Sequence, residues 1–217
     1  MPTENLRVIL FCHWQRILEP FGLDQVATET AFNDLVAAYS NPKRYYHTLQ
    51  HIHHVLSTIE TLQVYTKDLL AVQLAAWFHD IIYDTQAQNN EERSAEYADK
   101  LLINLGIPLN NIATVTRLIL NTKQHHAEAD DFDSQVLLDA DLAILAANPV
   151  EYREYADAIR QEYAWVSEAD YIMGRSQVLQ RFLECDRIYS TPLMFEVAEQ
   201  SARSNLNTEI QVLCKGV

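Results

Sequence analysis

Seven of the chain's eight histidines fall between residues 47 and 126, and one of them stands beside an aspartate inside an apolar run. In "AAWFHDIIYD", residues 75–84, His79 and Asp80 interrupt a segment where Ala71, Leu74, Ala75 and Phe78 recur at i, i+3, i+4 and i+7. That recurrence predicts a helix with one face in the core. Burying an ionised Asp80 there costs roughly several kcal/mol unless a positive group meets it. No lysine or arginine is near in sequence: Lys67 lies 13 residues before Asp80 and Arg93 lies 13 after it. The partner must come from elsewhere in the fold, or from solution as a metal ion.

The neighbouring motifs offer more of the same chemistry. In "RYYHTLQHIHHVL", His47, His51 and His54 share one helical face. Ile52, Val55, Ile59 and Leu62 form the adjoining apolar stripe, and His53 points away from it. "TKQHH" sets His125 and His126 behind Lys123, and "LLDADLAIL" places Asp139 and Asp141 inside a further apolar run. Neutral imidazoles and carboxylates are the ligands of divalent Mn, Fe, Co, Ni, Zn and Mg. Successive helical residues project about 100° apart, so His79 and Asp80 can flank a single ion. With no cysteine among these groups, the pattern favours an open catalytic ion over a structural zinc.

Elements must bring these groups together. The 217 residues suffice for one large domain, with 48% apolar and 21% charged residues. Only four glycines and six scattered prolines leave little turn chemistry for a many-stranded sheet. Periodicity and caps predict an all-α chain of about ten helices. They fall at about 4–19, 24–40, 46–63, 67–83, 91–105, 109–123, 133–146, 149–166, 168–185 and 193–213. Asp24 is an N-cap, and Gly106 ends the helix before it.

The charge balance narrows the partners. Sixteen Lys and Arg against thirty Asp and Glu give a net charge of −14. Such a field repels polyanions, so nucleic acid and anionic membrane surfaces are poor partners, while a small phosphate ester remains acceptable. Cys12, Cys185 and Cys214 form no CxxC pair, which suits a reducing, cytoplasmic setting. The opening "MPTENLRVILFCHW" does not read as a signal peptide, and no apolar stretch is long enough to span a membrane. A homo-oligomer is left open.

The ordered set His51, then His79-Asp80, then an aspartate of "DADL" resembles the H…HD…D signature of the HD-domain superfamily of metal-dependent phosphohydrolases. "YHTLQH" is similar to the "YHNxxH" of cyclic-nucleotide phosphodiesterases, although Thr48 stands where those enzymes carry Asn. Over residues 41–205 the chain looks like a stand-alone bacterial branch of predicted HD phosphohydrolases. "RYYHTLQH", "FHDIIYD", "NNEERSA", "TKQHH", "LLDADLAILA" and "GRSQVLQRFLECDRIYSTP" carry that resemblance. It implies one HD-like domain, with a metal-binding core at about 41–146 and the helices of 149–213 completing the pocket.

The resemblance further implies that His51, His79, Asp80 and Asp141 are metal ligands. Asp139 and Asp141 diverge by about 200° on a helix, so only one faces the ion. The superfamily's "AD-x-L" spacing favours Asp141. His47 matches the leaving-group acid of the diesterases, and Asp84 would orient a water or a ligand histidine. His125 and His126 would hold a second ion or bind phosphate. Lys123, Arg160, Arg175, Arg187 and Arg203 are the cations available to the substrate. The implied activity is hydrolysis of a small phosphate ester, such as a nucleotide, by metal-activated water. Two rivals use the same residues: an HD-type diiron oxygenase, and a non-catalytic, metal-stabilised ligand-binding module.

Overall fold

The computed structural model describes residues 2–215, and side chains from residue 4 to 215. Eleven α-helices run through the described residues, with no strand among them. They are α1 (Pro2–Leu18), α2 (Gln25–Tyr39), α3 (Leu49–Leu62), α4 (Leu69–Phe78), α5 (Asn90–Asn104) and α6 (Leu109–Thr122). There follow α7 (Phe132–Asp141), α8 (Pro149–Glu162), α9 (Glu168–Glu184), α10 (Pro192–Val197) and α11 (Glu199–Lys215). Three short 3-10 turns, Glu19–Phe21, Gln63–Tyr65 and Leu142–Ala146, join neighbouring helices. No helix among the described residues is long and apolar enough to cross a membrane.

The bundle is organised around α4. Every residue from Ala71 to Phe78 is buried, so this helix is apolar all round rather than on one face. Trp77 meets Trp14 of α1 edge to face with ring centroids 5.6 Å apart, and the Trp14 indole donates to the Thr28 carbonyl of α2. On the other sides α4 packs against α3, α6 and α7. Side-chain caps fix the entries: Asp24 accepts from the Ala27 amide, Asp68 from Ala71, and Asn148 from Val150 and Glu151. Gly106, at φ +75°, ends α5 in a left-handed conformation that residues with a Cβ rarely take. The C-terminal helices are tied to the same core, since the Asn205 amide of α11 donates to the carbonyls of Leu145 and Ala147.

The helix expected at 149–166 ends at Glu162, and four other boundaries differ where a side chain bonds to backbone distant in sequence. The helix expected at 67–83 stops at Phe78, with His79 as its C-cap. Arg44 donates to the carbonyls of Asp80 (2.7 Å) and Ile81 (2.8 Å), and Ser94 pairs with both backbone groups of Ile82. Asp80 therefore sits in the turn after the helix, not within it. The helix expected from 46 starts at Leu49 behind the N-cap Thr48, because the amides of Tyr45, Tyr46 and His47 all donate to Glu162. After Asp141, α7 tightens into the turn Leu142–Ala146, where the Tyr189 hydroxyl donates to the Leu142 carbonyl. The last helix is split at Ala198, and Glu199 beyond the split accepts from the amides of Ile188 and Tyr189.

Candidate metal centre

Three separate elements converge at one point. His51 comes from the first turn of α3, His79 from the C-cap of α4 with Asp80 in the turn behind it, and Asp141 from the end of α7. Each offers one ligand atom, and these atoms all lie within 4.8 Å of one another. The Nε2 atoms of His51 and His79 are 3.2 Å apart. From Asp80 Oδ2 they lie 3.6 and 3.1 Å, and from Asp141 Oδ1 3.3 and 3.4 Å. Ligands about 2.0–2.2 Å from a shared centre stand about 3.0–3.5 Å apart, so these spacings suit a divalent ion.

Proton bookkeeping points the same way. His79 Nδ1 is 2.9 Å from the Ala76 carbonyl, a group that only accepts, so Nδ1 carries a hydrogen. A neutral His79 then presents a lone pair at Nε2, aimed at another imidazole nitrogen and two carboxylates. His51 is oriented in a similar way by the Tyr46 hydroxyl, 3.1 Å from its Nδ1. Burial opposes charge on all four groups, yet their mutual attraction prevails. The two carboxylates push His51 up and hold His79 well above the usual histidine range. His79, with His47 and His51, holds Asp80 well below the carboxylate range, and His79, His125 and His51 do the same for Asp141. A divalent ion would compete with protons for the same ligand atoms. These four residues can hold a metal ion.

His47 stands at the edge of the cluster. Its Nε2 is 3.9 Å from Asp80 Oδ2, and its Nδ1 is 2.7 Å from Glu162 Oε2. Its ring stacks on Tyr83 with centroids 4.0 Å apart. It does not share a helical face with His51 and His54, since it precedes α3, and His54 is exposed and pairs with Gln50. Glu162 has no side-chain exposure. Burial disfavours its charge, but hydrogen bonds from His47 and from the amides of His47 and Tyr46 bring its pKa down to about 2. Tyr83 adds another donor at 3.0 Å.

Three of the four cluster residues, His79, Asp80 and Asp141, line a cavity of about 560 Å³, together with His47 and His125. Its outer wall comes from α8, α9 and the segment between them, with Tyr155, Tyr163, Trp165, Tyr171 and Phe182 among its lining residues.

The remaining expected site residues divide sharply. Asp141 is in the cluster and Asp139 is not: Asp139 accepts from the Ser190 amide, the Thr191 amide and the Thr191 hydroxyl. His125 reaches the site, its Nε2 3.3 Å from Asp141 Oδ2, on a residue with φ +47°. His126 is exposed and does not line the cavity. Asp84 is also exposed; its carboxylate accepts from the Gln86 amide and stabilises a loop turn, so it orients neither a ligand histidine nor a group of the cavity. Lys123 pairs with Glu92 and the Gln88 carbonyl at the end of α6, outside the cavity. Arg187 lies on the surface over the Phe195 ring. Arg160 and Arg203 spend their donors on carbonyls and, for Arg203, on Glu199. Arg175 does line the cavity, but Glu209 holds it through two hydrogen bonds.

Sequence reasoning missed Glu162, Arg44, Tyr46 and Tyr83. Nothing in "IRQEYAW" marks Glu162, because its partners lie 79–117 residues away. Tyr46 and Tyr83 sit next to residues that were singled out, so adjacency to a ligand was the signal available for them.

Comparison of the chain with protein-family models, with curated proteins and with solved structures finds no match in any of the three. The geometry has to carry the functional reading.

Proposed function

We propose that the cluster is a catalytic centre that hydrolyses a bond using a bound divalent metal. More specifically, we propose a phosphohydrolase of the HD type acting on a small phosphate ester. The observation that carries this reading is the pairing of the cluster with His47. Two histidines and two aspartates able to hold an ion open onto a cavity through three of their number, beside a histidine fixed by a buried carboxylate.

A divalent ion held by His51, His79, Asp80 and Asp141 would supply an acidified water and a Lewis acid for a phosphoryl oxygen. The chain's own residues do the rest. Glu162 accepts from His47 Nδ1, which fixes the ring's tautomer and turns Nε2 toward the cluster. In that orientation, when the ring carries both protons, Nε2–H can donate one to a leaving oxygen seated over Asp80 and keep the other on Nδ1 against Glu162. Three backbone amides and Tyr83 hold Glu162 rigid, so the donor's position is set before substrate arrives.

One observation favours a second reading. Asp141 turns its other oxygen to His125, which gives a second metal a start and suits a diiron oxygenase. Metal analysis of protein purified without chelator, followed by a panel of phosphate esters, separates the two. One exchangeable divalent ion with ester hydrolysis supports the phosphohydrolase. Two redox-active irons with no ester turnover would replace it by the oxygenase, and folded protein that takes up no divalent ion would leave neither.

A further inference from the structure

Resting on the phosphoester reading above, we infer that Glu209 sets the substrate's charge: the site takes an ester with one phosphoryl group and an uncharged, aromatic remainder. Among the described residues lining the cavity, Arg175 is the only arginine or lysine. A guanidinium there would ordinarily bind a second phosphate or carboxylate. Glu209 of α11 prevents this, since its two oxygens accept from Arg175 Nε at 2.8 Å and Nη2 at 3.1 Å. The third nitrogen, Nη1, faces the Tyr155 hydroxyl at 3.4 Å. Tyr152 donates to the same carboxylate at 2.5 Å and holds it in place. Both side chains of the pair are only 9% exposed, so neither swings into solvent to free the other.

The rest of the cavity agrees with this charge count. A divalent ion held here would be neutralised by Asp80 and Asp141, and one phosphoryl group would be left to be met by His47 and His125. Farther out, the charged lining residues besides Arg175 are Glu91 and Asp170, both acidic. A second anionic group would meet repulsion and no free cation, in surroundings where charges are poorly screened. The neutral lining combines aliphatic side chains with aromatic ones, among them Tyr83, Tyr155, Tyr163, Trp165, Tyr171 and Phe182. Such faces take up a planar apolar group through area burial and ring packing. Among the described residues, no Asn or Gln lines the cavity to read polar groups on that plane.

The test is ligand binding, followed by tryptophan fluorescence of the protein loaded with Mn²⁺. Trp14 and Trp77 are fully buried, whereas Trp165 at the cavity is 56% exposed, so quenching reports on this site. Phenyl phosphate and para-carboxyphenyl phosphate differ only by a second negative group. The unaltered protein is expected to bind the first about tenfold or more tighter than the second. Glu209→Gln, which frees Arg175, is expected to close that gap by about tenfold. The double variant Glu209→Gln/Arg175→Gln, which again lacks a free guanidinium, is expected to restore it. Equal binding of both esters to the unaltered protein, or an unchanged gap in Glu209→Gln, overturns the inference while leaving the phosphoester reading standing. Quenching by neither ester overturns that reading, and this inference with it.

Discussion

Two regions at either side of α7's end bury carboxylates in opposite ways. At the seam with the segment before α10, Asp139 and Glu199 face N–H and O–H donors: Ser190 and Thr191 for one, Ile188 and Tyr189 for the other. At the cavity floor, two residues along from Asp139, Asp141 faces imidazole nitrogens and another carboxylate. An acid surrounded by hydrogen-bond donors is already satisfied and holds backbone in place. An acid surrounded by potential lone pairs still needs a cation. Burial alone therefore does not separate a structural aspartate from a ligand; the character of the facing atoms does.

The largest expected effect tests that contrast directly. Asp141→Ala should lower metal content from about one ion per chain to none and cut ester hydrolysis on the order of a thousandfold, with the helical fold retained. Asp139→Ala should do the reverse: metal stoichiometry stays, while three orphaned donors cost about 3 kcal/mol or more in urea unfolding. Metal loss in the Asp139 variant would erase the distinction.

Glu162 combines the two behaviours, since it is saturated with donors yet acts on the site through His47. Glu162→Gln should leave metal content unchanged and lower turnover by roughly a hundredfold, because a neutral amide no longer pairs with the doubly protonated ring that Nε2 needs in order to donate. The same variant sharpens the comparison through pH. Glu162 titrates at about 2 when folded, against 4.5 for an ordinary glutamate. Because the folded value is the lower one, its contribution to stability is present above about 4.5 and lost as pH falls through about 2. Urea midpoints of the two proteins should differ most above that window and converge toward its acid end.

A smaller effect separates occupied from empty clusters. Added divalent metal at about a hundred times its Kd should stabilise the protein by about 2.7 kcal/mol, measured by thermal unfolding. Asp80→Asn should abolish that increment. The smallest effects are expected at residues the fold leaves outside the cavity. Lys123→Ala, Arg187→Ala and Asp84→Asn should each change stability by no more than about 0.5 kcal/mol and turnover by less than about twofold. A large activity loss in any of them would move the cavity's boundary.

Much of this was open to reading along the chain. Apolar spacing and caps located the all-helical order, and α2 lies where Asp24 and Ser40 bound it. The pairing of His79 with Asp80 in an apolar setting marked a charge in need of a cation, and the spacing of "DADL" limited the choice to two acids. These features are local: helical periodicity, capping and residue type act within a few positions of one another. The tertiary structure decided what depends on distant contacts. It chose Asp141 over Asp139 by bringing Thr191 to one and two histidines to the other. It ended α4 at Phe78 through Arg44, delayed α3 through Glu162, and withdrew Arg175 behind Glu209. Each of those outcomes is a competition for hydrogen bonds between groups far apart in the chain, and only the assembled fold determines which partner is within reach.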